Sequence, residues 1–159
     1  MRMSKKQRSR DQAVALGKVY TALMRDRWNL RRAARRAGSP RLKRQLHRLA
    51  FQRGNDAGSL VEAGVRVAEG DMPPRPNQTD PLDLIRIGEV GALAACLRSN
   101  RKLRVAIDRA SATEPSPIID RQLSALKAAA EREAGTIEAR FAEATTPLIA
   151  NPSHPTIVE

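Results

Sequence analysis

Aromatic side chains are scarce: one Trp, one Tyr and two Phe make up 3% of the 159 residues. That leaves little on which to stack nucleobases, and no RNP-type aromatic pattern is present. Any core must instead be assembled from Leu, Ala, Ile and Val, which a hydrophobic content of 41% can supply. Cys96 is the only cysteine, so no intramolecular disulfide can form. The longest stretch free of polar side chains, Val90 to Leu97, falls far short of the roughly 20 residues that span a bilayer, and membrane insertion is not expected. The opening MRMSKKQRSR carries the charge of a signal-peptide n-region, but polar SRDQ stands where an apolar run would be needed. The expected location is the cytoplasm. Sustained period-2 runs of β-branched residues are also missing, which argues against strands.

Acids are missing from one part of the chain. Residues 1–53 hold 17 Lys+Arg against only Asp11 and Asp26, a local charge of +15, while the other 106 hold 12 against 15, a charge of −3. The overall +12 is therefore concentrated in the first third, where a one-sided field attracts phosphates, acidic proteins or anionic surfaces.

What is present is helical spacing. Apolar residues recur every three or four positions over residues 11–37, 40–69, 81–112 and 116–145, predicting four helices. Gly38 suits a helix end, Ser39 a cap and Pro40 a first turn, so the first two helices form an antiparallel hairpin. Asp80 and Pro81 open the third helix, and Ser116, Pro117 and Asp120 the fourth, on the same logic. Between helices two and three, GDMPPRPNQTD has the prolines of an extended path that covers roughly 34 Å, against roughly 45 Å for a thirty-residue helix. A long crossover is favoured over simple up-down-up-down. The expected domain plan is a disordered basic arm over residues 1–10, a bundle over 11–145 and a flexible Pro-containing tail over 146–159.

Each apolar stripe is interrupted near its midpoint by a polar residue: Arg27, Arg53, Ser99 and Glu133. Midpoints of antiparallel helices fall at similar heights, so these four would meet in one central polar layer. Glu133 would pair with one arginine, and the second arginine would turn to Asp26, Asp56, an anion or water. The alternative is that both arginines snorkel from the stripe's edge. Cys96 falls on the inner face of the third helix as an inert core thiol, and Gly88, Ala92 and Ala95 permit close helix approach. A second group, Arg31, Arg32, Arg35, Arg36, Arg41, Arg44 and Arg48, lies mostly off the stripes of the first two helices and forms a basic surface for an anionic partner. Solvated faces usually mix both signs at i, i+4, and this one has almost no acids.

The segments RRAARRAGSPRLKRQLHRLAFQR, GEVGALAACL and IIDRQLSALKAAAERE resemble the ferritin-like four-helix-bundle domains of unknown function found in many bacteria. The resemblance implies an all-α, ferritin-like four-helix bundle. Metal-bearing members of that class hold carboxylates and Glu-x-x-His pairs at mid-bundle. Here His47 follows Arg44 and His154 follows Asn151 at that spacing, only Glu89 and Glu133 offer acids, and Arg27 and Arg53 stand in the other seats. No metal or other cofactor is expected, because two arginines repel cations.

The resulting expectation is a non-enzymatic binding or stress-associated module whose partner is an acidic protein or a phosphate backbone, and oligomerisation is compatible with it. One alternative is a nonspecific nucleic-acid or ribosome-associated basic protein; another is a ferritin-like di-metal carboxylate protein. The chain has no nucleophile system, since Ser99 has no histidine at a suitable spacing.

Overall fold

Spacing of three and four produces helices and no strand among the described residues. The structure, a computed structural model, describes residues 3–68 and 88–150, the last five by their backbone alone. The helices are α1 (Lys5–Arg36), α2 (Pro40–Glu62), α3 (Glu89–Ser111) and α4 (Pro117–Ala150), which make an all-α four-helix bundle. No described helix is long and apolar enough to cross a membrane.

Local chemistry explains the helix ends. Ser39 Oγ accepts the Leu42 amide at 3.1 Å and Pro40 follows at the first helical position, as the GSPR stretch predicts. Ser116 does the same for α4, its Oγ accepting the Ile119 amide at 3.5 Å while its carbonyl accepts the Asp120 amide at 2.8 Å. The disordered arm expected over residues 1–10 is corrected: Ser4 Oγ accepts the Gln7 amide at 3.2 Å, and α1 is helical from Lys5. Lys, Gln and Arg are good helix formers whose side chains stay in water here, so a single serine cap suffices to begin the helix early. The second helix ends seven residues before the expected position. Gly64, at φ +101°, turns the chain, its amide bonding Val61 O and the Val65 amide bonding Leu60 O, both at 3.0 Å. This is a Schellman stop, and the buried Val65 packs beside Leu60 to close it. At the other end of the chain, α4 continues to Ala150, into the segment expected to be a flexible tail. The proposed Asp80 and Pro81 start of the third helix lies outside the described residues; in the described part Gly88 holds the N-cap position with no side chain within 4 Å of its Cβ direction, so it does not serve close packing.

Three contacts fix the topology. Gln12 Nε2 donates to the Thr113 carbonyl at 3.2 Å, which brings the start of α1 to the end of α3. A Cβ on Gly38 would lie 3.7 Å from Glu89 Oε2, so the end of α1 meets the start of α3. Arg140 Nη2 donates to Ser39 Oγ at 3.4 Å, joining the later part of α4 to the start of α2. Helices α1 and α4 therefore run one way and α2 and α3 the other. Helix α1 packs along α2 and α3, α3 along α4, and α2 touches α4 only sparingly. Because α2 ends and α3 begins at opposite ends of the bundle, the link between Glu62 and Glu89 is a crossover rather than a hairpin.

The core is in two halves. One gathers Leu16, Val19 and Leu23 with Ala57, Leu60, Leu103, Ile107, Leu123 and Leu126. The other gathers Leu30, Ala33 and Ala34 with Leu42, Leu46, Ala50, Leu93, Cys96 and Ile137. Along every helix the boundary between the halves falls at the same height, and there the polar residues sit.

Two glycines distinguish backbone strain from open space. Gly64→Ala is expected to cost about 1–2 kcal/mol, since its left-handed backbone disfavours a Cβ even with no neighbour within 4 Å. Gly135→Ala, in the exposed interior of α4 and equally open, should gain up to about 1 kcal/mol from helix propensity. Urea denaturation of the two variants checks the opposite signs.

Candidate functional site

Arg53 is wholly enclosed, its side chain 0% exposed at the centre of the bundle. A guanidinium removed from water needs its donors satisfied by acceptors, and its charge balanced. Both needs are met by three helices. Nε donates to Asp26 Oδ2 of α1 at 2.8 Å, Nη2 to Glu133 Oε2 of α4, and Nη1 to Asp56 Oδ2 one turn along α2 at 3.4 Å. Ser99 of α3 completes the layer, its hydroxyl donating to Asp26 Oδ1 at 2.5 Å. Beside it, Asn100 Nδ2 reaches the Ala130 carbonyl of α4 at 3.0 Å.

Three of the four residues expected in the layer, Arg53, Ser99 and Glu133, come together in this way. Arg27 does not: its guanidinium lies across the α1–α2 seam, with Cζ and Nε 3.4 Å from the Cβ position of Gly54. Asp26 takes the inward seat instead. The reason is charge. With Arg27 inward the layer would hold two cations, whereas turning Asp26 inward gives the buried guanidinium its nearest anion, and the missing Cβ of Gly54 lets Arg27 pass outward. Glu89 is in the first turn of α3, about 15 Å along the helix from Ser99, so it and Glu133 do not share a site. Among the described residues no group of three or more His, Cys, Asp and Glu could hold a metal ion. The acids that do converge have a guanidinium between them.

Three carboxylates face one guanidinium, leaving a formal excess of negative charge. Burial pushes the Asp56 carboxyl above the ordinary value, and the Arg53 guanidinium only partly opposes the shift. Cys96, just above the layer, has its thiol pushed up to about 12, first by burial and then by the Asp26 charge, so it is an unreactive core residue.

A groove of about 1060 Å³ runs along the outside of the α1–α3 seam, and Ser99 reaches its floor from the layer beneath. The floor is small and apolar: Ala15 and Ala22 from α1, and Gly91, Ala92, Ala95 and Ala106 from α3. Lys18, Arg25 and Arg32 line it from α1, and Arg98, Arg101, Lys102 and Arg109 from α3, with Asp11 the one acid among the described lining residues. Lys18, Arg25, Arg98 and Lys102 form no ion pair with a described residue. The basic surface expected on the first two helices is distributed differently. Arg32 belongs to this groove; Arg31 and Arg35 are exposed on α1, Arg36 is half-buried, and Arg41, Arg44 and Arg48 are exposed on the back of α2. The cations on α3 escaped the sequence reading because they lie outside the most basic third. The pattern that reveals them is the seven-residue recurrence of Lys18, Arg25 and Arg32 on α1, matched on α3 by Lys102 and Arg109.

Arg53→Met should cost roughly 3–5 kcal/mol, because it strands Asp26 and Glu133 as buried, unpaired anions. Asp26→Asn and Glu133→Gln added to the same chain should recover most of that loss, and chemical denaturation of the single and triple variants measures it. Asp56 gives a pH signature. Its folded form holds a proton above the ordinary 3.8, so stability falls as pH rises through the window above that value. In Asp56→Asn this falling component should vanish, so the variant gains on the parent as pH rises above about 4 in paired urea titrations.

Comparison with protein-family models, curated proteins and solved structures finds no match to this chain, so its function has to be read from the layer and the groove.

Proposed function

We propose that the protein is a non-enzymatic helical-bundle module that binds an anionic macromolecule along the α1–α3 groove. The observation that carries this reading is the lining of that groove: among the described residues, seven Lys and Arg side chains against Asp11 alone, around an apolar floor. Like charges held along two facing helix edges repel one another, and an anionic ligand relieves the repulsion while displacing counterions. The use of the buried Ser99 hydroxyl as a hydrogen-bond donor to Asp26 supports a binding role. A ferritin-like ancestry is part of the proposal. Its supports are the crossover between the two helical hairpins and the polar layer at mid-height, with the Arg53 guanidinium supplying positive charge among carboxylates.

The reading is tested with heparin and a single-stranded oligonucleotide as polyanion probes. Both should bind the full chain at low salt, with affinity falling steeply as salt is raised. Lys18→Glu with Lys102→Glu should weaken binding about tenfold or more, whereas Arg44→Glu with Arg48→Glu on the back of α2 should change it much less. Equal losses from both pairs would move the site to the general basic surface. Absence of binding at low salt would remove the proposal.

A further inference from the structure

The outer faces of α1 and α3 carry a second pattern besides the stripes that build the core. On α1, Ala15, Ala22 and Asn29 alternate with Lys18, Arg25 and Arg32, each set recurring every seven residues along the groove. On α3, Gly91, Arg98 and Val105 recur likewise beside Ala95, Lys102 and Arg109. A seven-residue recurrence keeps one edge of a helix facing one neighbour, and it is the spacing by which helices pack on helices. Ala15, Ala22, Ala92 and Ala106 close the core from this side, whereas the Lys and Arg side chains that flank them face no helix of the described bundle.

We propose that the groove receives one amphipathic helix of an acidic partner protein, its apolar stripe against the small-residue floor and its Asp and Glu side chains on both flanks. This deepens the anionic-partner reading and rests on it. Three features select a helix over other polyanions. The lining carries two exposed valines, Val14 and Val105, at 57% and 43% exposure, which an apolar stripe covers and a phosphate backbone does not. Bases of a single strand need aromatic platforms, and the described groove lining contains none. The lining runs from Asp11 to Arg32 on α1 and from Gly91 to Arg109 on α3, roughly 27–32 Å, the length of an 18–21-residue helix. Cations seven apart stand about 10.5 Å apart along an axis, so acids seven apart on the incoming helix meet them in register. A second copy of this chain is a poor occupant, because its +12 charge opposes docking on a basic groove.

The experiment uses the full chain and a synthetic 20-residue peptide with a leucine and alanine stripe flanked by glutamates, followed by fluorescence anisotropy. A scrambled peptide of the same composition keeps the charge and loses the stripe. The striped peptide should bind at least about tenfold more tightly than the scramble. Val14→Asn with Val105→Asn, exposed positions that leave the core intact, should lower striped-peptide affinity about tenfold while leaving heparin and oligonucleotide binding within about twofold. Circular dichroism confirms that the variant is folded. If both peptides bind equally, or the valine variant binds the striped peptide as the parent does, helix docking is overturned. If the oligonucleotide or heparin binds while the striped peptide does not, docking is overturned and the anionic-partner reading stands. If no polyanion binds, both fall together.

Discussion

A guanidinium enclosed by four helices must be satisfied on several sides at once, or its hydration pulls the helices apart. Arg53 is in that position, and the arrangement around it sets the register of the bundle. Its three nitrogens point to acids on α1, α2 and α4, and Ser99 ties α3 to the same Asp26 carboxylate. Sliding any helix by a turn would remove its partner from the layer, whereas the Leu and Ala contacts above and below would tolerate a slip much better. The layer therefore acts as a pin for helix register, a use of buried charge that does not require a net gain in stability.

The sparing contact between α2 and α4 gives the arginine a second role. Elsewhere neighbouring helices are held by apolar side chains, but between these two the long Arg53 side chain reaches across the core to Glu133. An aliphatic residue at position 53 could fill the volume but not make this link. The same economy of contact is absent on the α1–α3 side, where alanines and Gly91 let the helices lie close and leave a low floor between basic edges.

Much of this fold was legible in the sequence because it rests on local rules. Ser39–Pro40 and Ser116–Pro117 mark helix starts by capping chemistry alone, and the interruptions at Arg53, Ser99 and Glu133 stand out against their stripes. Two errors have a common source. Arg27 and Asp26 are adjacent, so a helical wheel separates them by only about 100°, and a pattern of polar against apolar cannot choose between them. Which one turns inward depends on the Arg53 charge arriving from another helix and on Gly54 leaving space for Arg27, both tertiary facts. Gly64 ended α2 early although valines at 65 and 67 prolonged the apolar rhythm; the left-handed turn reuses Val65 as the apolar clasp of its own stop. The groove was obscured differently. Its two edges come from the basic first third and from a nearly neutral later segment, so a tally of charge along the chain finds only half of it.

The layer and the groove are mechanically one structure. Ser99 is at once the groove floor and the donor to Asp26, so the bond linking α1 to α3 lies directly beneath the place where a ligand would press. A ligand helix drawn in by the surrounding cations would wedge the two edges apart if the seam beneath were held by alanine contacts alone, since small side chains give little dispersion energy per contact. The Ser99–Asp26 bond resists that wedging, and Arg53, bonded to Asp26, carries the load into its own helix α2 and on to α4 through Glu133. A buried charged layer at mid-height, costly when judged by stability, is well placed as the crossbar beneath the groove.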